Sequence, residues 1–217
     1  MIRVKERYKN FVAPNFPEDP FSADISADPE SKYPEKISVI EKNKYWHICG
    51  RGIDIDLMEG AGGGRIFPDV HILDSLLRII YSYLLVKNSG FLMHAAGHKG
   101  RVYTGPAGSG KTTSVRGKKG ILGDDIIALK KEEGTWHIYS TPFTGEFEGM
   151  VEYRKEKLKK FYILNIGKKK LDQGEIYKEL FKNIVYFFAD SKYNMDKLAE
   201  YCAELSAEVP GYGFKNK

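Results

Sequence analysis

Gly105-Pro106-Ala107-Gly108-Ser109-Gly110-Lys111-Thr112 is the stretch on which the reading of this chain turns. It fits GxxxxGK[ST] in full, with Thr113 directly after it. The run Arg101 to Thr104 before it is strand-like, and the residues down to about Arg116 are helix-like. That strand–loop–helix context is what a phosphate-binding loop requires. Glycines let successive backbone N–H groups turn inward around phosphate oxygens, where a Cβ would obstruct. A following helix presents its positive end to the same anion. Lys111 supplies a point charge to the β- and γ-phosphates, and the Thr112 hydroxyl suits Mg²⁺. Gly105 through Thr113 therefore predict a P-loop for a nucleotide.

Two further features lie close in sequence. Asp124-Asp125 follow Ile121-Leu122-Gly123, an acidic pair at the end of a short strand about a dozen residues beyond Lys111. A carboxylate at such a strand end holds Mg²⁺ beside a P-loop. Two adjacent acids offer more, since one can ligate the metal while the other takes the proton from an attacking hydroxyl. His94, in the strand FLMHAAG, is joined to the P-loop strand by the turn His98-Lys99-Gly100, which can bring it near the phosphates. The short interval from Lys111 to the acids disfavours GTPases and AAA-type chains. No guanine-specificity NKxD motif is present, as Asn43-Lys44 is followed by Tyr45.

Outward from this centre, the chain of 217 residues suits one domain with an N-terminal extension. Hydrophobic residues at 42% and aromatics at 13% are enough for a core and too many for a disordered chain. The formal net charge is +5, with lysines scattered rather than gathered, so no nucleic-acid face is expected. Cys49 and Cys202 stand far apart in no CxxC pair, which indicates neither a disulfide framework nor a zinc site. The start MIRVKERYKN lacks an apolar core for a signal peptide, and Leu76 to Val86 is too short to cross a bilayer. The expected compartment is the cytoplasm, with no membrane partner.

Five of the nine prolines fall in 1–36, which predicts an irregular extension. Residues 37–217 are expected to form a single domain, with a β-rich part over 37–68. There KISVIEK, YWHICG and GIDIDLM read as strands, and Gly60 to Gly64 as a plain loop. Asp69 opens a helix on Leu73, Leu76, Leu77, Ile80 and Leu84 that stops near Asn88-Ser89-Gly90. IIALKK and TWHIYS flank Glu132-Glu133-Gly134 as a hairpin, and KKFYILNIG is a buried strand. Ile176, Leu180, Phe181, Ile184, Phe187 and Phe188 predict one apolar helix. Met195, Leu198, Cys202 and Leu205 predict another, and VPGYGF a last strand.

The order His-Ala-Ala, turn, strand, GPxGSGKT, short helix, strand, Asp-Asp, hairpin and Thr-Pro-Phe resembles the HPr kinase/phosphorylase-related P-loop kinases. Their nucleotide fold is shared with phosphoenolpyruvate carboxykinase. The matching residues are His94, Gly105 to Thr113, Asp124, Asp125 and Thr141 to Glu146, so the likeness covers residues 90–149 well and the rest in outline. It implies an α/β fold with a mixed sheet and flanking helices. It also implies ATP- and Mg²⁺-dependent phosphorylation of a hydroxyl on a protein, a peptide or a small molecule. By that likeness Asp124 is the base, Asp125 and Thr112 are the Mg²⁺ ligands, Lys111 holds the phosphates and His94 stands near the γ-phosphate. The division between the two aspartates can also run the other way. Glu146 and Arg154 are candidates to support the site or touch the acceptor. The chain lacks the N-terminal domain of the bifunctional enzymes and their phosphorylase signature, and it is too small for a complete carboxykinase. It is more similar to the short HPr-kinase-like proteins, with homo-oligomerisation left open. Two other readings stand beside this one, a nucleotide-binding switch without transfer and a carboxykinase-like enzyme with converging arginines.

Overall fold

The computed structural model describes residues 22–42, 45–58, 61–147, 154–167, 169–188 and 191–215. The fold is mixed α/β, with mixed sheets and helices against them. The chain divides into two compact units where one domain over 37–217 was expected: residues 1–83 with 187–192, and residues 84–186 with 193–217. Two separate sheets, each with its own buried apolar side chains, account for the division.

The first unit holds a five-stranded sheet. Its strands are β1 (Ser22–Ala27), β2 (Ser38–Lys42), β3 (Tyr45–Gly50), β4 (Ile53–Met58) and β5 (Ala61–Ile66), in the order β1-β5-β4-β3-β2. β1 runs parallel to β5, and the other pairs are antiparallel. Alternation decides the faces: Ile53, Ile55 and Leu57 are buried, while Asp54 and Asp56 point to the other side. On that outer face Arg65 bonds Asp28 and Asp54 at 3.2 and 3.0 Å, and His47 Nδ1 lies 2.8 Å from Asp56.

Two expectations change here. Part of the stretch expected to be irregular, Ser22–Ala27, is a strand; residues 1–21 of that extension lie outside the described ones. Of the glycine run expected as a loop, residues 61–64 belong to β5, clamped between β1 and β4, and Gly60 lies outside the described residues. Composition misleads because glycine is needed for close approach: at Gly64 (φ +150°) a Cβ would come within 2.2 Å of the Asp54 carbonyl oxygen.

Helix α1 (Val70–Lys87) starts as expected, with Asp69 Oδ1 accepting from the His71 and Ile72 N–H groups at 2.7 and 3.3 Å. Within the first unit Phe188, fully buried, meets Trp46 of β3 edge-on and Tyr83 of α1, with ring centroids 5.0 and 4.9 Å apart.

The second unit is built on β6 (Gly90–His98). The others are β7 (Arg101–Thr104), α2 (Lys111–Val115), β8 (Ile121–Gly123), β9 (Ile126–Glu132), β10 (Thr135–Tyr139), β11 (Lys155–Lys157), β12 (Lys160–Leu164), α3 (Gln173–Lys182), β13 (Ile184–Val185), α4 (Lys192–Glu208) and β14 (Gly211–Phe214). The sheet order is β11-β10-β9-β6-β7-β12-β14, with β8 and β13 also paired to β6. β6 pairs over its first half with β9 and β13 and over its second half with β7 and β8. β7, β12 and β14 are mutually parallel.

Opposite faces of this sheet bury separate clusters. Phe91, Met93, Val102, Phe161 and Ile163 pack with Leu198, Cys202 and Leu205 of α4. Ala96, Tyr103 and Leu164, of the other parity, pack with Val115 and Ile121. The apolar helix expected to reach Phe188 ends at Lys182. Asp172 and Glu175 form a capping box at its start, and Asn183 Nδ2 donates to the Glu179 carbonyl at its end. The next apolar residues serve another purpose, with Ile184 pairing to Met93 in β6. Among the described residues no helix is long and apolar enough to cross a membrane.

Candidate functional site

β7 delivers the chain to the glycine loop at Thr104, whose hydroxyl donates to the His94 carbonyl at 3.2 Å. Gly105 (φ +152°) then turns the backbone where a Cβ would sit 3.2 Å from the Leu164 carbonyl oxygen. The loop closes with Ser109 N–H on the Pro106 carbonyl at 3.1 Å. α2, of five residues, is little more than one turn. The contribution expected from its positive end is accordingly small.

Lys111 is buried at 7% exposure, and its ammonium donates to the Gly105 and Pro106 carbonyls at 2.9 and 3.1 Å. Burial lowers its pKa and the nearby Asp125 charge opposes that shift. A cation held by carbonyls of its own loop is fixed in place.

Residues 107–113 line a cavity of about 450 Å³ together with His94, Asp124, Asp125, Gly145 and Glu146. That volume is in the range of small-molecule sites. Of the residues expected from sequence, Gly105 and Pro106 are absent from this lining, and the rest of the loop, His94 and both aspartates share it. Arg154 also lies elsewhere, its Nη2 on the Gly120 carbonyl at 3.2 Å and 2.8 Å from Glu156. Glu146 does reach the cavity, paired with Arg116.

The adjacent aspartates have different surroundings. Asp124 is 2% exposed, and its carboxylate accepts from the backbone N–H groups of Gly145, Glu146 and Phe147 at 2.9, 2.7 and 3.3 Å. The side chain expected to face an acceptor is thus turned onto the 145–147 turn. Its carbonyl accepts from Thr112 Oγ1 at 3.4 Å, so one residue touches both α2 and that turn. Asp125 is half-exposed, and its Oδ1 lies 3.0 Å from His94 Nε2. Strand pairing makes this contact, since His94 stands opposite Ile126 and Ala95 N–H donates to the Asp125 carbonyl at 3.0 Å.

The turn carrying the three amides is itself anchored. Thr141, fully buried, donates its hydroxyl to the Ile126 carbonyl and accepts from Phe143 N–H at 3.2 Å. Sequence reading misses the roles of the 145–147 amides because every residue has an N–H. The Thr-Pro-Phe-Thr-Gly run is its only trace.

Among the described residues no group of three or more His, Cys, Asp or Glu side chains is placed to hold a metal. Asp125 and the Thr112 hydroxyl, both on the cavity, do fit the sparse protein donor set of Mg²⁺, which phosphate oxygens and water complete. No protein-family model matches the chain, and no curated protein matches it.

Proposed function

We propose that this protein is a Mg²⁺- and ATP-dependent phosphotransferase of the HPr-kinase-like type, acting on a hydroxyl of a protein, a peptide or a small molecule. One observation carries the reading: the loop 107–113, with Lys111 buried in it, shares a single cavity with the His94–Asp125 pair. A phosphate seat beside a steadied carboxylate is what in-line transfer to a hydroxyl demands.

Loop amides and Lys111 would bind and orient the phosphates, and Thr112 with Asp125 would hold Mg²⁺. The bound metal supplies neutralisation of the charge on the transferred group. The acceptor oxygen forms a bond to the γ-phosphorus as the bond to the β–γ bridging oxygen breaks. The acceptor's proton passes to Asp125, whose carboxylate is oriented by His94. In this assignment Asp125 keeps the Mg²⁺ role first expected of it and also takes the base role first given to Asp124, with one carboxylate oxygen for the metal and the other for the proton. Asp125 faces the reaction, and Asp124, committed to three amides, fixes the 145–147 wall.

Incubation with γ-labelled ATP and a panel of acceptors (free serine, HPr-type proteins, leader peptides) tests the reading. Acceptor-dependent label transfer and thermal protection by ATP are expected, and Lys111→Ala loses both. Transfer that survives Lys111→Ala, or ATP that gives no protection, overturns it. The switch reading draws support from Asp124, which touches the P-loop helix through Thr112 and the 145–147 turn together. Its signature is ATP protection without acceptor-dependent ADP release. A carboxykinase-like reading gains nothing, since no arginine among the described residues lines the cavity.

A further inference from the structure

In-line transfer puts the acceptor and the departing ADP on opposite sides of the phosphorus. With Asp125 as the base, the acceptor enters at the end of the first cavity where His94 and Asp125 stand. The rest of the acceptor then needs room beyond that end. A second cavity, of about 310 Å³, adjoins the first there. Two contacts join them. The N–H of His94, which lines the first, donates to the carbonyl of Asn183, which lines the second, at 2.8 Å. Pro106 lines the second and its chain neighbour Ala107 the first.

The fold puts this cavity at the carboxyl ends of the parallel strands, where ligands of open α/β sheets settle. β12 pairs with β7 so that Ile163 stands beside Thr104, which brings Leu164 level with the glycine loop. A Cβ on Gly105 would lie 3.3 Å from the Leu164 Cβ. The facing wall is the carboxyl end of α3, with Glu179 and Lys182 on the helix and Asn183 at its cap.

The chemistry of the two walls selects what enters. Pro106, Leu164 and Ile166 make one of them apolar. On the other, Glu179 and Lys182 pair with each other at 2.8 Å, so their charges cancel. A charged group would lose its water there without a partner, whereas an aliphatic one gains by burial. Asn165, exposed at the rim, is held in the left-handed region (φ +64°) with its N–H on the Phe214 carbonyl at 2.8 Å. Its side chain sets a donor and an acceptor side by side, the complement of a peptide group. A peptide group next to an aliphatic side chain is a piece of polypeptide; a free hydroxy amino acid offers no such pair. We infer that this cavity is the acceptor's specificity pocket. The hydroxyl belongs to a residue within a peptide chain, and an aliphatic side chain beside that residue seats on Pro106, Leu164 and Ile166. The inference rests on the phosphotransferase reading above.

Capped peptide pools with serine fixed at the centre test it with γ-labelled ATP. One flanking position at a time is set to leucine, asparagine, aspartate or lysine. Leucine at a flanking position is expected to raise label transfer about tenfold or more over each of the other three. Ile166→Trp, which fills the cavity, is expected to bring the pools within about twofold of one another. Thermal protection by Mg²⁺-ADP is expected to stay as in wild type. Asn165→Gly, at a left-handed position that glycine accepts, keeps the test available if Ile166→Trp does not fold. It is expected to lower transfer to the leucine pool about three- to tenfold, again with ADP protection unchanged. Equal labelling of the wild-type pools, or a preference for any residue other than leucine, overturns the pocket. So does a leucine preference that survives Ile166→Trp, or transfer that Asn165→Gly leaves unchanged. If free serine or an HPr-type protein takes label and no pool does, this inference alone falls. If nothing takes label while ATP still protects the fold, the phosphotransferase reading falls with it.

Discussion

His94 Nε2 lies 3.0 Å from Asp125 Oδ1, across a strand pair that joins residues 31 positions apart in the chain. The next carboxylate back, Asp124, lines the same cavity but is engaged by the amides of Gly145, Glu146 and Phe147. Neighbours in sequence are thus given different partners at the end of β8, one carboxylate on a histidine and the other on backbone amides. Burial sets the same division, since Asp124 is 2% exposed and Asp125 is half-exposed.

That separation gives the two amide variants opposite signatures. Asp124→Asn turns one acceptor oxygen into an NH₂ group facing backbone donors and is expected to cost about 1–3 kcal/mol of stability. Asp125→Asn is expected to stay within about 0.5 kcal/mol of wild type and to lose label transfer. Denaturation curves and the γ-label assay on both variants check this. A stable, inactive Asp124→Asn beside an active Asp125→Asn would return the base role to Asp124.

Acid stability has an identifiable contributor at Glu132. Burial alone would raise its pKa, but hydrogen bonds from Lys155 and Tyr139, with the Lys130 charge, hold it down from 4.5 to about 2. A carboxylate whose folded pKa lies below its unfolded value stabilises the fold fully above about pH 4.5. That stabilisation drains away as the pH falls towards 2. Glu132→Gln is expected to remove about 2–3 kcal/mol at neutral pH and to flatten the stability profile between those limits. Urea unfolding at pH 7, 4.5 and 3 measures it.

The two thiols differ in access. Cys202 is fully buried on α4, and burial pushes its pKa up to about 12. Cys49 is half-buried on β3. A chromogenic disulfide reagent is expected to titrate one thiol in the native protein and two in denaturant. Cys49→Ser is expected to abolish the native-state reaction.

The glycines of β5 are not equivalent. Gly64→Ala places a Cβ 2.2 Å from the Asp54 carbonyl oxygen at φ +150° and is expected to cost about 3 kcal/mol or more. At Gly63 the nearest atom to a Cβ is the Asp24 carbonyl oxygen at 3.5 Å, an ordinary contact. Gly63→Ala is expected to stay within about 1 kcal/mol of wild type. Thermal melts of the pair measure the difference.

Local signals carried far in this chain. Asp69 capped α1 where it was expected, the turns Lys99-Gly100 and Glu133-Gly134 made hairpins, and the glycine loop from Gly105 to Gly110 sat between a strand and a short helix. Non-local facts were illegible. Nothing in GAGGG announces a strand, because glycine's use there is set by Asp54 across the ladder. Phe188 sits at helical spacing from Ile184, yet it packs on Trp46 and Tyr83, far off in sequence. The acidic pair was visible, but not which member turns inward. That choice depends on three backbone N–H groups some twenty residues on.

β1 covers one side of β5, and it is drawn from the proline-rich stretch that a protein engineer would be inclined to trim. Its register runs from Ser22 beside Ala61 to Ala27 beside Ile66. Without it, β5 would show a bare rim of amides and carbonyls bordered largely by glycine, with little side-chain bulk to fend off another strand. A chain shortened to begin at Ile37 would carry a sticky margin open to strand exchange between copies, a margin that β1 closes in the full chain.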